Sequence, residues 1–433
     1  MEMNIKKTTD LMQDDLLKFC GEMIKTPSPS GHEQDIALLL TRKMEELGYD
    51  EVFTDDWGNV IGTVKGSLPG PTIMYNGHMD AVETGEVDTW KGYDPFGAEI
   101  DKVEMENPFT GEMDMTQVIH GRGSADLKCN LAAQIFAGGA LAKMKRDGTD
   151  FGGTFLLAAV VLEENGEMMG TIKLVEGALK DKGIEIDAMV CCEPSSLKLM
   201  LGHRGRMEIR VEITGRSCHG SSPWLGINAV EKSAPLIQRV REMMDAKNIE
   251  DKYLGKPGIT LTMYDCSPNE LCIVPNKCVM IFDRRLIPGE TVESAIKEIQ
   301  DICDDIAVND SDFHAKVSVN SNLRTAFTGK SEIIESSKEV WIIDREHPFI
   351  KACAEGVKEM GEPVVYGYWN FSTDTPMIGT RMKKPVIGYG AGQEYLIHTP
   401  QEKVRLDFIA RSLPVNVAMF LHATKLPKEV FKV

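Results

Sequence analysis

The sequence predicts an α/β protein carrying a second domain inserted in its middle. Three observations point there: the length, the alternation of short apolar runs with helical periodicity, and a central block whose element order differs from the rest. At 433 residues the chain is about three times the ~150 residues of one typical domain, so two domains, or one large domain with an insertion, is the starting expectation. Hydrophobic residues at 42% and charged residues at 26% place it among globular chains rather than disordered or fibrous ones.

The first 50 or so residues have helical spacing, with Leu11, Leu16, Leu17, Phe19 and Cys20 in one stretch and Ile36, Leu38, Leu39, Leu40 and Met44 in the next. Between them lies the loop PSPSGHE, where Ser30 and Glu33, three residues apart, have the spacing of a capping box opening the second helix. Apolar runs at 71–77, 154–162 and 186–192 then alternate with helical patterns at 131–144 and 171–181, the signature of a largely parallel sheet flanked by helices. The acidic stretch at 99–118 reads as an exposed hairpin or loop. From Arg206 to about Val319 the order is strand, helix, strand, strand, helix, strand, a βαββαβ unit. The first texture resumes with a helix from His347 and an apolar run at 385–390. The expected division is therefore 1–205 and 320–433 for a split main domain and 206–319 for the insertion.

A net charge of −18 argues against nucleic acid and anionic membranes as partners, since both need clustered Lys and Arg. The longest apolar stretch, Phe155 to Leu162, is far short of the ~18 residues of a membrane span. Charges stand where a secretory signal would be apolar. The ten cysteines are scattered, with Cys191 and Cys192 adjacent and no CxxC pair; they read as free thiols in a reducing cytoplasm rather than a disulfide framework or a thiolate metal site.

Four segments place histidine or carboxylate at or after the end of an apolar run: His78 and Asp80 in NGHMD, Glu163 and Glu164 in VVLEENGE, Glu193 in VCCEP, and His398 in IGYGAGQEYLIHTP. Ligands of open α/β sheets bind beyond the carboxyl ends of the strands, so these side chains are expected to converge on one crevice. Asp126, in GRGSADLK, precedes the 131–144 helix and adds a fifth contributor near its positive end. That many carboxylates cannot stay ionised together without cations. A His and carboxylate set without thiolates suits Zn²⁺, and also Mn²⁺ or Co²⁺, and a pair of such ions makes a recurrent hydrolytic site. HExxH fails because position 36 is isoleucine, and no GxSxG, Walker loop or GxGxxG after a strand occurs.

The ordered series GHMDAV, DPF, GRGSADLK, EENGE, CEPS, GRSCHGSSP and IHTP resembles the aminoacylase, acetylornithine deacetylase and succinyl-diaminopimelate desuccinylase family of two-metal (zinc) peptidases. PSPSGHE, EENGEMMGT and STDTPM are similar to a branch of hydrolases linked to selenium metabolism. The resemblance implies a mixed, mostly parallel-sheet metallopeptidase domain with an inserted ferredoxin-like βαββαβ lid and dimerisation domain. It implies that His78 and Glu193 hold one cation, that Glu164 and His398 hold the other, that Asp126 bridges both, and that the Asp126–Leu127 peptide is cis. Asp80 would orient His78 and Glu163 would be the general base. His219 would stabilise the oxyanion from the partner subunit of a homodimer, and Asn276 and Arg285 would bind a substrate carboxylate.

Two stretches depart from the family pattern. Cys129 and Asn130 stand where relatives carry glycines, and residues 370–374, Asn-Phe-Ser-Thr-Asp, replace a glycine-rich substrate turn. Tyr368, Trp369 and Phe371 either line an unusual pocket or pack. The expected reaction is hydrolysis of an amide in an N-acyl amino acid or small peptide. Removal of a carbamoyl or ureido group is the alternative within hydrolases, and a non-catalytic metal-binding regulatory protein the alternative outside them.

Overall fold

A computed structural model describes residues 2–431. Its main sheet has nine strands, and the order across it is Glu51–Thr54, Val60–Lys65, Gly152–Val160, Leu68–His78, Ala188–Cys191, Val386–Gly388, Leu199–His203 and Trp341–Ile342, with Tyr366–Trp369 also pairing to Leu199–His203. The four central strands from Gly152–Val160 to Val386–Gly388 run parallel to their neighbours, while pairs towards the edges are mostly antiparallel. The sheet is thus mixed with a parallel centre.

The continuous apolar run at 154–162 has a physical reason: this strand is covered on both faces. Phe155, Leu157 and Ala159 enter the larger core, under the helices Gln13–Ile24, Gln34–Leu47, Cys129–Arg146 and Leu406–Ala423. Leu156, Ala158 and Val160 alternate into a smaller core that includes Met168, Leu174, Trp341 and Trp369. The acidic stretch forms an antiparallel hairpin, Ile100–Glu106 with Met113–His120, extended by Lys403–Arg405.

The capping box is not formed. The helix Gln34–Leu47 has no side-chain cap, because Ser30 Oγ donates instead to Asp80 Oδ2 at 2.6 Å and Glu33 Oε1 accepts from the amides of Gly31 and Leu162. Both residues brace the strand ends rather than the helix start.

The βαββαβ segment builds its own antiparallel sheet, ordered Gly258–Ser267, Lys277–Leu286, Gly205–Thr214 and His314–Val319. The helices Ala229–Ala246 and Val292–Asn309 close its separate core around Ile209, Val211, Leu236, Met280 and Ile299. Asn228 caps the first of these helices, and Thr291 with Ser294 forms a capping box on the second. Gly258–Ser267 is an edge strand with Met263 and Tyr264 exposed.

The chain leaves the main sheet at Arg204, between Leu199–His203 and Gly205–Thr214. On its return Ser337–Lys338 still pairs with Met207 and Arg206, and Trp341–Ile342 is the first segment back on the main sheet. Between Val319 and Ser337 lies a hairpin, Ser321–Thr325 with Ser331–Glu335, which the apolar pattern does not signal. It is anchored to the main domain: Ala326 is buried, the Phe327 ring lies where a Cβ on Gly58 would be, Thr328 donates to the Asp56 carbonyl at 2.9 Å, and Glu332 pairs with Lys173 at 2.6 Å.

Candidate active site

The parallel strands end on one edge, and the side chains beyond their carboxyl ends meet there. His78 closes Leu68–His78, Glu163 and Glu164 follow Gly152–Val160, and Glu193 follows Ala188–Cys191. His398 arrives by a longer route, after a short turn at Glu394–Leu396, with a left-handed φ of 57°. Asp126 sits in the turn before the helix Cys129–Arg146, and its bond to Leu127 is cis.

His78 Nε2 is 3.1 Å from Asp126 Oδ1 and 3.8 Å from Glu193 Oε1. His398 Nε2 is 3.2 Å from Asp126 Oδ2 and 3.1 Å from Glu164 Oε2. The five residues therefore fall into two triads that share Asp126: His78, Asp126 and Glu193, and Asp126, Glu164 and His398, with the ligand atoms of each within 4.8 Å of one another. His78 Nδ1 lies 2.8 Å from the Asp80 carbonyl oxygen; an N–H there leaves the Nε2 lone pair facing the carboxylates. The Asp80 carboxylate also stays near the ring, with Oδ1 3.5 Å from His78 Nδ1, while its two oxygens accept the amides of Glu163 and Glu164, each at 3.1 Å.

Burial sets the electrostatics. It drives Glu193 well above the usual carboxylate range, with the charge of Asp126 adding to the effect, and for the same two reasons Glu164 rises to about 7. Burial would raise Asp126 too, but hydrogen bonds from His398 and His78 hold it low. Hydrogen bonds to Asp126 and Glu164 in turn push His398 up to about 11. The protein alone thus assembles more buried negative charge than it can keep ionised and borrows positive charge from its imidazoles, which is the condition a pair of divalent cations relieves. Three oxygen donors and two nitrogen donors without a thiolate fit such ions.

A model of peptidase family M20/M25/M40 matches residues 74–423. The chain belongs to that family. It is 31% identical over 395 residues, 90% of each chain, to the uncharacterized protein YgeY of Escherichia coli K12. To the succinyl-diaminopimelate desuccinylase of Pseudomonas syringae pv. syringae it is 26% identical over 296 residues, 66% of this chain and 72% of that one. The fold matches Bacillus subtilis YXEP, a dinuclear metal binding peptidase of the M20 family, at a TM-score of 0.64 with 15% identity, covering 96% of this chain and 99% of that one. As an M20 protein the chain is a metal-dependent hydrolase with a parallel-centred catalytic domain, and its two triads are the candidate ligand groups of a dinuclear centre. No described helix is long and apolar enough to cross a membrane.

A cavity of about 480 Å³ opens over the triads. Arg285 lines it, but its Nε already donates to Asp283 Oδ1 at 2.6 Å. His219 does not line it: the ring lies in an exposed turn, 2.7 Å from Ser221 Oγ. Asn276 is exposed, its backbone tied to Gly215 and Ser267, and it does not line the cavity either. Phe371 does, Tyr368 stacks on Tyr253 of the inserted segment at 4.7 Å, and Trp369 is buried with its Nε1 donating to the Pro194 carbonyl.

Three residues of this M20 site escape sequence reasoning. Lys338, buried, forms an ion pair with Glu163; burial would lower its ammonium pKa, but Glu163, Glu167 and Asp374 around it raise it. Glu402 accepts the amides of Ala125 and Asp126 at 3.0 and 3.1 Å and binds Arg122 at 2.5 Å. Asn130, one of the departures from the family pattern, donates to the Ala125 carbonyl and accepts from the amides of Ala391 and Gly392, all at 3.0 Å. It fastens the Asp126 turn to the loop leading to His398. The only local signal for it is a polar residue at the start of an apolar helix.

Proposed function

We propose that the protein hydrolyses an amide bond of an N-acyl amino acid or small peptide, with two divalent cations, zinc before cobalt or manganese, held by His78, Asp126 and Glu193 on one side and by Asp126, Glu164 and His398 on the other. The observation that carries the reading is the sharing of Asp126 between two triads at the foot of one cavity. Bound there, the cations supply Lewis acidity that polarises a carbonyl and acidifies water. Glu163 stands beside the triads without belonging to either, which suits a group that takes a proton from the attacking water on a carboxylate oxygen and returns it to the leaving nitrogen. Lys338 and the backbone held by Asp80 keep that carboxylate in place. His219 is assigned to the oxyanion of the partner subunit's site within a homodimer joined through the 206–319 lid, which is consistent with its absence from its own cavity. The family resemblance assigns Asn276 and Arg285 to a substrate carboxylate, and the setting is the cytoplasm.

The test is a panel of N-acetyl, N-succinyl, dipeptide and N-carbamoyl substrates assayed with Zn²⁺, Mn²⁺ or Co²⁺. Turnover of an acylated or peptide member, lost on chelation and restored by metal, is the expected result. Turnover of carbamoyl substrates alone would move the protein to the ureido class, and turnover of none would overturn the hydrolase reading.

A further inference from the structure

Besides His398 of the triads, four arginine and lysine side chains line the cavity: Arg206, Arg285, Arg324 and Lys338. Three are already matched to carboxylates. Arg206 holds Glu167, Glu208 and Asp283 at 2.6, 2.6 and 3.0 Å. Arg285 shares Asp283 with it, and Lys338 holds Glu163. Arg324 has no such partner: none of its nitrogens makes a hydrogen bond or ion pair among the described residues, and its Nε is buried as well as unsatisfied. A guanidinium with a buried, unmatched N–H is costly unless something pairs with it.

We propose that Arg324 is the residue that anchors a carboxylate of the substrate, a role the family resemblance would give to Arg285. The proposal rests on the cavity being the hydrolytic site. Its charge balance points the same way. The floor carries Asp126, Glu163, Glu164 and Glu193, so an anionic substrate can enter only with its negative group held away from them, against a cation not already neutralised. Arg285 already has its charge matched by Asp283, which takes its Nε and Nη2 and leaves only the remaining Nη donors for a ligand. Arg324 offers an unmatched cation, and its planar fork matches a carboxylate with two parallel donors. The support is rigid, since the hairpin bearing Arg324 is anchored on the main domain by Ala326, Phe327, Thr328 and the Lys173–Glu332 pair. Recognition of the carboxylate therefore does not require the lid to move.

The experiment uses the metal-loaded protein and each member of the N-acetyl, N-succinyl, dipeptide and N-carbamoyl panel in two forms, the free acid and its C-terminal carboxamide. Affinities are measured by calorimetry in Glu163→Gln, to silence turnover, and kcat and KM are measured in the otherwise wild-type protein. An acid form preferred over its carboxamide by about 10- to 150-fold, the range of a hydrogen bond to a charged group, is expected. Arg324→Ala should abolish that preference, mainly through Kd and KM with kcat little changed, while Arg324→Lys retains part of it and Arg285→Ala most of it. Arg324→Gln, which keeps the length of the side chain, guards against a hairpin disturbed by alanine. Equal binding of acid and carboxamide by the wild-type background, a preference that survives Arg324→Ala and Arg324→Gln, or its loss only in Arg285→Ala would each overturn the proposal, as would failure of every acid to bind. An Arg324-dependent preference without any turnover would leave this anchor standing and remove the hydrolase reading instead; turnover with a preference indifferent to Arg324 would do the reverse.

Discussion

Two adjacent glutamates follow the strand Gly152–Val160, and only the second belongs to a triad. That difference makes the pair testable one residue at a time. Glu163→Gln keeps the shape of the side chain and its place beside Lys338 while removing the proton acceptor, so turnover should fall by at least ~10²-fold with bound metal unchanged; a loss of metal would mean that the roles of Glu163 and Glu164 are exchanged. Glu402 makes a different kind of prediction. Glu402→Ala leaves the Arg122 guanidinium, buried beside it, without a counter-charge and frees two amides of the Asp126 turn. Breaking a buried pair in this way costs about 3–5 kcal/mol, to be read by denaturant titration, and metal content should drop with it. Asp126, Glu164 and the other triad members were legible in the sequence because each is a metal-binding type at a recognisable strand end or turn. Glu402, Lys338 and Arg324 were not. Each depends on a neighbour far away in the chain, and nothing in the residues beside it reports that neighbour.

At the scale of elements, the strands that carry triad members were readable because burial on both faces writes an unbroken apolar run. Shorter pieces gave no such signal: Ser337–Lys338 and Trp341–Ile342 are two residues each, and the Ser321–Glu335 hairpin lacks an apolar stripe because most of it is exposed. The capping box failed for the opposite reason, a local pattern overridden by a distant carboxylate. The end of Leu199–His203 offers a pH test. Buried His203 accepts a hydrogen bond from Thr375 on Nε2, at 2.8 Å, and donates from Nδ1 to the Arg204 carbonyl, and burial depresses its pKa to about 3. The unfolded chain takes up a proton there near pH 6.5 and the folded chain does not, so this residue's contribution is intact above pH 6.5 and is lost as pH falls from there towards 3. Between pH 6.5 and 5 it should remove up to about 2 kcal/mol of unfolding free energy, at ~1.4 kcal/mol per pH unit. His203→Gln, measured by urea titration at several pH values, should show a correspondingly flatter dependence; an unchanged slope would mean that the imidazole is protonated in the folded protein.

For the whole molecule, the parallel-centred sheet with an inserted βαββαβ unit follows from element order alone, and membership of the M20 family agrees with it. The arrangement of subunits calls for a measurement in solution. His219 lies in a turn outside its own cavity, and the lid sheet has an open edge at Gly258–Ser267, a surface suited to pairing with a second lid. Mixing inactive His219→Ala with inactive Glu163→Gln under conditions of subunit exchange should therefore restore activity, because one site of each heterodimer has both groups intact. A fully active monomer, or no recovery after proven exchange, would exclude the arrangement in trans.

The scattering of the triads along the chain also sets an order of events during synthesis. A nascent polypeptide that has emerged through the lid already displays His78, Asp126, Glu164 and Glu193, yet His398 and the Glu402 that holds the Asp126 turn are still to come. The first triad is complete early; the second is not. A chain cut short before His398 would therefore carry all three members of one triad and only Asp126 and Glu164 of the other, and the Asp126 turn common to both would lack the Glu402 carboxylate that accepts its amides.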